Sequence, residues 1–386
     1  MTSVALKKRL GDLFIFKNGR AFKKEEWSTI GLPIIRIQNL NNSAATFNYF
    51  AGDYSSDILV QYGDLLFSWS GTVGTSFGPH LWAGEDGLLN QHIFKIGFKK
   101  ASIIKQYAYY ALFHITEEIE QSVNGAVGLV HVTKEKLNEF TIPVPPLAEQ
   151  ERIAAILDEA CDSIATARAN AEQNLQNART LFNSHLEAVF TKPSKKWVEK
   201  LLGEVCDLVG GSQPPKATFE RNPSDENIRF IQIRDYKSDR HTVYIPRKLA
   251  RRFCSEDDVM IGRYGPPIFQ ILKGLEGAYN VALIKAVPDV SQLSRDYLFY
   301  FLKHPSIQEY VIFHSERAAG QTGLNKERLE PYPIRIPSLA EQEKIVTITR
   351  EIEIETQRLE TLYQRKLAAL DNLKKTLLHQ AFSGQL

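Results

Sequence analysis

The feature that most constrains the fold is a nine-residue stretch that occurs twice. Pro145-Pro-Leu-Ala-Glu-Gln-Glu-Arg-Ile153 is matched 192 positions later by Pro337-Ser-Leu-Ala-Glu-Gln-Glu-Lys-Ile345. The same offset joins Phe190 to Phe382, where the helical pattern that follows each copy stops. Because this offset is close to half of the 386 residues, the chain is predicted to be an internal repeat.

Each copy of the stretch carries the signals of a helix N-terminus. Prolines precede the first turn, and acidic residues such as Glu149 and Glu341 favour the positive end of the helix dipole. No proline interrupts the 42 residues from Glu149 to Phe190, which would form a helix of roughly 63 Å. Pro193 and Gly384 follow the two predicted ends. Each half of the chain is therefore predicted to contain one very long helix.

Apolar residues run along both predicted helices, mostly three or four positions apart, as in a coiled-coil seam. They are Ile153, Ile156, Ala160, Ile164, Ala167, Ala171, Leu175, Ala178, Phe182 and Val189 in the first helix, and Ile345, Ile348, Ile352, Leu359, Leu362, Leu370, Leu373 and Leu377 in the second. A single helix with such a stripe is not stable alone in water, so the two are predicted to pack on each other, antiparallel. The alternative is a long helix inside an ordinary globular domain.

The composition is that of a globular protein with room for two hydrophobic cores. Hydrophobic residues make up 43% of the chain, and the net charge of +2 is too small to hold nucleic acid by charge alone. No run of about 18 apolar residues and no apolar signal-peptide core occurs, so we expect a cytoplasmic protein without a membrane segment. Cys161, Cys206 and Cys254 are far apart and lack metal-ligand spacing, so neither disulfides nor a metal site are expected.

The regions before the two helices share a plan although most of their residues differ. Arg9-Leu-Gly-Asp-Leu-Phe14 corresponds to Leu201-Leu-Gly-Glu-Val-Cys206, again 192 positions apart. The stretch Ile34–Asn39, which reads as a strand with alternating polar residues, is matched by Phe230–Asp235. Further predicted strands run into polar, glycine-rich loops in both regions.

The predicted fold class is α/β, of the mixed α+β kind. Two similar domains are separated by two long antiparallel coiled-coil helices, with a pseudo-two-fold internal repeat. The predicted boundaries are 1–146 for the first variable domain, 147–193 for the first helix, 194–338 for the second variable domain and 339–386 for the second helix.

The motifs of independent enzymes are missing from the sequence. There is no phosphate-binding loop, dinucleotide fingerprint, metalloprotease helix motif or nucleophile elbow. His92 and His131 lie near polar loops, but an isolated histidine is more often a hydrogen-bonded structural residue. We therefore predict no catalytic residue in this chain.

The duplicated stretches, together with Leu377-Leu-His-Gln-Ala-Phe-Ser-Gly-Gln-Leu386, resemble the conserved regions of the specificity subunits of type I restriction-modification systems. The resemblance covers the whole chain, and the first copy departs from the pattern in ending Glu187-Ala-Val-Phe-Thr-Lys-Pro193, as an internal connector would. It implies two target-recognition domains, each of which reads one half of a bipartite, asymmetric DNA target. The helices would set the gap between the halves and dock two methyltransferase subunits.

The resemblance also implies a non-catalytic subunit with several partners. These are double-stranded DNA, two methyltransferase subunits and restriction endonuclease/translocase subunits, and S-adenosylmethionine, ATP and Mg²⁺ would belong to the partner subunits. One alternative is a protein-interaction scaffold with two repeated binding domains on a coiled coil. Salt dependence would separate it from DNA recognition, because phosphate contacts make the affinity fall steeply with salt. A fused enzyme is the other alternative, and the missing methyl-donor motif speaks against it.

Residues expected to contact DNA lie in the polar loops and strand ends of the variable domains. Arginine, lysine, asparagine and glutamine present the donors and acceptors that base edges and phosphates require. The candidates are Lys17, Asn18, Arg20, Gln38, Asn39, Ser70, Thr72, Gln91 and His92 in the first domain, and Ser212, Gln213, Lys216, Arg234, Tyr264, Gln321 and Thr322 in the second.

Overall fold

The computed structural model describes residues 6–42, 44–72, 75–123, 130–191, 196–265, 267–315 and 323–386. The chain divides into two compact units, residues 1–171 with 366–386 and residues 172–365. Each unit contains one variable domain and a part of each long helix. The division therefore falls inside both helices and not at the ends of the variable domains.

The first unit combines short strands and short helices with the beginning of a long helix. Its strands are β1 (Lys7–Arg9), β2 (Phe14–Asn18), β3 (Leu32–Ile35), β4 (Asn48–Phe50), β5 (Leu59–Val60), β6 (Leu65–Ser68), β7 (Ser70–Gly71), β8 (Gly78–Leu81), β9 (Gly87–Leu89), β10 (Ile93–Phe98), β11 (Val130–His131) and β12 (Thr141–Pro143). Its helices are α1 (Leu10–Leu13), α2 (Ile37–Asn41), α3 (Lys105–His114), α4 (Thr116–Ser122), α5 (Lys134–Glu139) and α6 (Leu147–Thr191), with 3₁₀ turns at Lys24–Glu26 and Ser56–Ile58.

Two four-stranded sheets organise this domain. One is antiparallel with the order β2-β10-β6-β8, and the other is mixed with the order β4-β3-β9-β5, in which β3 and β9 run parallel. Along β2 the side chains alternate, since Phe14 and Phe16 are buried and Ile15 is exposed. This is the pattern of a strand with one face on the core.

The second unit repeats this set of elements. Its strands are β13 (Val198–Leu201), β14 (Cys206–Gly210), β15 (Asn227–Ile231), β16 (Tyr244–Pro246), β17 (Phe253–Cys254), β18 (Val259–Gly262), β19 (Gln270–Leu272), β20 (Gly277–Tyr279), β21 (Leu283–Pro288) and β22 (Pro333–Ile336). Its helices are α7 (Leu202–Val205), α8 (Arg295–Lys303), α9 (Pro305–Ser315), α10 (Lys326–Leu329) and α11 (Leu339–Ser383), with 3₁₀ turns at Lys216–Thr218, Ile233–Tyr236, Asp239–His241 and Arg247–Leu249.

The sheet topology of the second unit is that of the first. Its antiparallel sheet has the order β14-β21-β18-β19, and its mixed sheet has the order β16-β15-β20-β17, with β15 and β20 parallel. The strand order is therefore the same in the two sheets of each domain. The predicted mixed α/β fold with an internal repeat is confirmed.

The prediction of a strand at Ile34–Asn39 is wrong beyond Ile35. There the side chain of Asn39 turns back, and its Oδ1 accepts the backbone N–H of Arg36 at 3.1 Å. This bond starts the short helix α2. In the second domain Asp235 accepts the backbone N–H of Gln232 at 2.7 Å and starts a 3₁₀ turn. The polar residues of this segment therefore do not share one face of a strand.

The long helices α6 and α11 have 45 residues each, and each would measure about 68 Å. They begin at the predicted residues 147 and 339 and end at Thr191 and Ser383, slightly before the predicted ends. In the first unit the start of α6 and the end of α11 share one core, to which they contribute Leu157 and Leu378. An ion pair between Arg168 and Asp371 links the same two segments. Because the early part of one helix meets the late part of the other, the two run antiparallel in this unit.

In the second unit the end of α6 meets the beginning of α11. Leu186 and Val346 belong to its core, and Arg179 pairs with Glu360 at 3.5 Å. The Nε2 atom of His185 also lies 2.9 Å from the hydroxyl of Thr349. Residue numbers again rise along one helix as they fall along the other, so the antiparallel pairing that the sequence predicts is present in each unit.

Three residues assigned to the helix seam are exposed, which corrects that part of the prediction. Ile348 is 52% exposed, Leu362 56% and Leu373 47%. A straight helix drifts by about 20° per heptad from a strict seven-residue repeat, so a heptad stripe leaves the contact face. In the second unit the buried face of α11 instead includes Thr349 and Thr356, whose hydroxyls bond to carbonyls one turn earlier in the helix.

The glutamine of the repeated stretch anchors the long helix to the variable domain. In the first unit the buried Gln150 accepts the backbone N–H of Ile104 at 3.0 Å. Its Nε2 donates to the carbonyls of Ser102 and Pro145, both at 2.8 Å. All three partners are backbone atoms. The anchor therefore does not depend on which side chains the variable domain carries.

Gln342 makes the same three bonds in the second unit, which gives a test of the anchor. It accepts the N–H of Ser294 at 2.8 Å and donates to the carbonyls of Gln292 (2.7 Å) and Pro337 (3.0 Å). Since each buried group without a partner costs about 1–3 kcal/mol, Gln342→Leu is expected to lower the free energy of unfolding by about 3 kcal/mol or more. Chemical denaturation measures this loss. The exposed neighbour provides the control, Glu343→Leu, and an equal loss in both variants would contradict the anchor.

Among the described residues, no helix combines the length and hydrophobicity needed to span a bilayer. Cys161, Cys206 and Cys254 are free cysteines.

Candidate nucleic-acid interface

Three separated stretches of the first domain meet at one end of its mixed sheet. We call them the polar edge: Gly19–Arg20 after β2, Arg36–Gln38 after β3 and Asn90–His92 after β9. The backbone N–H of Asn90 donates to the carbonyl of Ile35 at 3.0 Å, which joins the second and third stretches. Four of the residues predicted to contact DNA are thus brought to one place.

The second domain has a polar edge at the matching positions. It consists of Gly211–Gln213 after β14, Gln232–Arg234 after β15 and Asn280–Ala282 after β20. The backbone N–H of Asn280 donates to the carbonyl of Ile231 at 3.1 Å, as at the matching position of the first domain. The two edges therefore share one backbone arrangement and carry different side chains.

A glycine is required where the first stretch of each edge crosses the third. A Cβ atom on Gly19 would lie 2.1 Å from the carbonyl oxygen of Asn90, and one on Gly211 would lie 1.9 Å from that of Asn280. Neither distance is possible for a real side chain, so any other residue would push the stretches apart. The glycine-rich turns noted in the sequence thus serve close packing at the edge.

Two predicted residues of the first domain are held by other side chains. Lys17 pairs with Asp57 at 2.5 Å. Arg20 pairs with Glu26, and its guanidinium lies 4.7 Å from the ring centre of Phe50. These interactions fix both basic groups, so a DNA phosphate would bind beside their present partners or replace them.

Asn39 is buried, and its side chain is used inside the domain. Besides accepting the N–H of Arg36, it donates to the carbonyls of Ala45 (3.3 Å) and Thr46 (3.4 Å). Its neighbour Gln38 is exposed and donates to Thr46 at 3.3 Å. Asn39 therefore shapes the loop from within, and Gln38 is the residue of this pair that presents an amide at the surface.

Most of the other predicted residues have exposed side chains. Ten members of the predicted set are exposed: Lys17, Asn18, Gln38, Thr72, Gln91, His92, Gln213, Lys216, Arg234 and Tyr264. Gln91 and His92 lie side by side, with 3.2 Å between their Nε2 atoms. These polar groups are the ones that a ligand could reach.

The remaining predicted residues are less accessible or are not described. Ser70 is buried in β7, where its backbone pairs with His131. Ser212 is half-buried, and its backbone N–H donates to the carbonyl of Tyr279 at 3.2 Å. Gln321 and Thr322 lie outside the described residues.

The first residue after each central strand was missing from the predicted set. The guanidinium of Arg36 lies 5.5 Å from the ring centre of Trp27, and its buried Nε has no hydrogen-bond partner among the described residues. The buried Nε2 of Gln232, at the matching position, also has none within the described part of the chain. The sequence offered a signal for both residues. The alignment of the two halves pairs Arg36 with Gln232, so each half has a polar residue with hydrogen-bond donors at this position.

A carboxyl group with an altered pKa directly follows the Gln232–Arg234 stretch of the second polar edge. Burial raises the pKa of Asp235, while the backbone N–H of Gln232 and the charges of Arg229 and Arg234 act in the opposite direction. Arg234 itself is exposed next to this carboxyl group. The chain thus presents the Arg234 cation at the surface directly before a buried carboxyl group.

Within the described residues, no group of three metal-binding side chains occurs. The polar edges offer hydrogen-bond donors and acceptors on two similar frames.

The family model for the type I restriction modification DNA specificity domain matches the chain twice, at residues 5–175 and 194–364. The specificity subunit of the type I restriction enzyme EcoBI from Escherichia coli is 26% identical over 406 aligned positions, which cover 96% of this chain and 83% of that protein. A putative type I restriction enzyme specificity subunit, MjaX, from Methanocaldococcus jannaschii is 22% identical and covers 97% and 91%, respectively.

Solved structures share the fold over the full length. A chain from a study of complex assembly and conformational transition in the type I R-M system matches with a TM-score of 0.76 at 20% identity, covering 99% of this chain and 98% of that one. The HsdS subunit from Thermoanaerobacter tengcongensis matches with a TM-score of 0.55 at 20% identity, covering 100% and 98%.

These matches favour DNA specificity over the protein-interaction scaffold considered from the sequence. Both copies of the repeat belong to the DNA specificity domain, and the curated relatives are specificity subunits. The chain belongs to the type I restriction-modification DNA specificity family, as a sequence-specificity subunit and not as the enzyme of the system.

Proposed function

We propose that each variable domain reads one half of a bipartite, asymmetric DNA target through its polar edge. The observation that carries this proposal is the repetition of one backbone frame with different side chains. The first edge presents Gln91 and His92, and the second presents Gln213 and Arg234. The same backbone arrangement in both edges suits the regular geometry of the DNA double helix. The different side chains of the two edges suit half-sites of different sequence.

The predicted residues divide into two roles under this proposal. The exposed side chains contact bases or phosphates, with Lys216 and Arg234 as cations in the second domain. Asn39 and Ser70 are buried and hold the loops that present the others. Gln321 and Thr322 remain proposed contacts.

The partners follow from the family and from an exposed stripe on α11. Ile348 and Leu362 are 14 positions apart, which places them on one side of the helix, and both are exposed in the second unit. We assign this stripe to a methyltransferase subunit, with a second such subunit and the restriction endonuclease/translocase subunits completing the complex. S-adenosylmethionine, ATP and Mg²⁺ are assigned to these partners, and the helices are assigned the role of setting the gap between half-sites.

Methylome sequencing of a host with and without this gene tests the proposal. With the cognate methyltransferase subunit present, the wild-type chain is expected to produce methylation at one motif with two specific halves and a gap of fixed length. The double variant Ile348→Lys/Leu362→Lys is expected to lose this methylation. Burying an apolar side chain of this size contributes about 1.5–3 kcal/mol, so each substitution should weaken docking about tenfold or more.

A matched control uses other exposed positions of the same helix. Gln357→Lys/Gln364→Lys adds the same two charges to α11 at exposed positions that lie about 140° or more around the helix from Ile348 and Leu362, and it is expected to leave the methylation intact. Co-purification with the methyltransferase subunit separates lost docking from lost DNA recognition. A motif without two specific halves would contradict the proposed reading, whereas normal co-purification of the double variant would contradict only the docking stripe.

A further inference from the structure

A second shared backbone feature lies beside the polar edge, where the central antiparallel strand of each domain ends. In the first domain the residue after β6 is Trp69. Its N–H donates to the carbonyl of His92 at 3.2 Å, and its carbonyl accepts the N–H of Val132 at 3.0 Å. The backbone of Trp69 thus connects the loop after β9 to Val132, which directly follows β11.

Arg263 occupies the same place in the second domain, after β18. Its N–H donates to the carbonyl of Ala282 at 2.9 Å, and its carbonyl accepts the N–H of Leu324 at 3.0 Å. The backbone bonds therefore make Arg263 the counterpart of Trp69. We call this place the strand-end node: Trp69, His92 and His131 in the first domain, and Arg263, Tyr264 and Val281 in the second.

The node of the first domain is aromatic and imidazole-bearing. The ring centre of Trp69 lies 5.2 Å from that of His92 and 4.6 Å from that of His131, which meets it edge-on. Both histidines are exposed, and the buried Nε1 of Trp69 has no hydrogen-bond partner among the described residues. Two imidazoles are thus held at the surface by one indole.

The node of the second domain carries a guanidinium that local carbonyls orient. The Nε of Arg263 donates to Leu324 at 3.3 Å, and one terminal nitrogen donates to Val281 at 3.4 Å. The guanidinium also lies 5.3 Å from the ring centre of Tyr264. The second terminal nitrogen makes no hydrogen bond within the described part of the chain. The guanidinium of Arg263 is thus held in place, and its second terminal nitrogen can still donate hydrogen bonds to a ligand.

The difference between the two nodes indicates that the side chain is not required by the fold. The two backbone bonds are the same with tryptophan and with arginine, which differ in shape, charge and hydrogen-bonding capacity. Because the shared backbone accepts either side chain at this position, the side chain can differ between the domains and contact different DNA bases. The nodes also lie next to the polar edges, since His92 belongs to both features in the first domain.

We propose that the strand-end nodes are specificity-determining sites, with Arg263 reading a guanine in the half-site of the second domain. Guanine offers two acceptors in the major groove that match the fork of an arginine, whereas the other bases do not offer this pair. In the first domain His92 and His131, supported by Trp69, make the corresponding contacts with a different base pattern. This inference rests on the proposed function and names residues that decide its selectivity.

Substitution of Arg263, followed by methylome sequencing with the methyltransferase subunit present, tests the inference. Arg263→Ala is expected to lower the preference for guanine at one position of the second half-site by about 5- to 150-fold, so that this position becomes degenerate. The first half-site and the gap should not change. Arg263→Lys keeps the charge and is expected to retain methylation with a weaker preference for guanine.

Arg335→Ala is the matched control, because Arg335 lies on β22 and pairs with Glu199 at 2.8 Å, away from the node. It is expected to leave the motif unchanged. If Arg263→Ala does not fold, Arg263→Trp supplies the side chain that the same backbone carries in the first domain. An unchanged motif in the folded variants, or a second half-site without guanine, would overturn the assignment.

The first domain supplies an independent arm of the test. His131→Ala and His92→Ala are each expected to alter only the first half-site. Both substitutions leave the backbone bonds of Trp69 in place. If exchange of a variable domain changes the methylated motif but substitution of Arg263, His92 and His131 does not, the nodes do not determine specificity. The proposed function would still hold in that case. A motif that domain exchange does not change would refute the proposed function itself.

Discussion

A chimera in which residues 1–146 come from another specificity subunit is expected to methylate a target that is changed in one half only. The physical reason is that each domain closes on its own core. The core of the first unit and that of the second share no residue, and each contains its own sheets. Effects at sites without shared contacts usually add, so a new first domain should leave the second half-site as it was.

The junction at residue 146 is favourable for such an exchange. Gln150 lies on the retained helix and bonds only to backbone atoms of Ser102, Ile104 and Pro145. A foreign domain with the same backbone course can therefore dock on the helix whatever its side chains are. The packing of Leu157 against the domain is less general, so the donor must offer an apolar surface there.

Methylome sequencing of cells that carry the chimera measures the outcome. The matched control replaces residues 1–146 by the domain of a relative that has the same first half-site, and its motif should not change. A chimera that alters both halves would contradict modular reading, as would one that keeps the original first half.

The repeat and the helices could be predicted because their signals are local. The duplicated Pro-Leu-Ala-Glu-Gln-Glu pattern, the uninterrupted 42 residues and the apolar spacing all lie within single segments. Local periodicity is a strong signal when an element is long.

The parts that the sequence did not reveal depend on distant partners. The strand at Ile34–Asn39 ends early because Asn39 folds back onto Arg36, and alternation alone does not show such a bond. Exposure of Ile348 depends on where the other helix lies. Arg263 was overlooked because the bonds that place it beside the polar edge join residues far apart in the sequence.

A pair of four-residue insertions, after Ala171 in α6 and after Arg365 in α11, is expected to lengthen the gap between the half-sites. These positions are where the two units meet in the sequence of each helix. The insertions leave the ion pair of Arg168 and Asp371 inside the first unit and that of Arg179 and Glu360 inside the second. Both cores and both sets of helix contacts are therefore preserved.

The expected size of the change follows from helix geometry. Four residues add about 6 Å and about one turn plus 40° to an α-helix. At about 3.4 Å per base pair, this corresponds to one or two base pairs of additional gap. The rotation also changes the face of DNA that a domain meets, so methylation is expected to be slower as well as shifted to the longer gap.

A four-residue insertion after Asp53, in an exposed loop, is the control and should leave the gap unchanged. Methylome sequencing of both variants gives the half-sites and the gap in one measurement. Unchanged half-sites with a gap longer by one or two base pairs would show that the helices act as a ruler. Methylation of the original motif at its original gap by the paired-insertion variant would mean that the helices only hold the domains, and that flexible joints outside them absorb the added length.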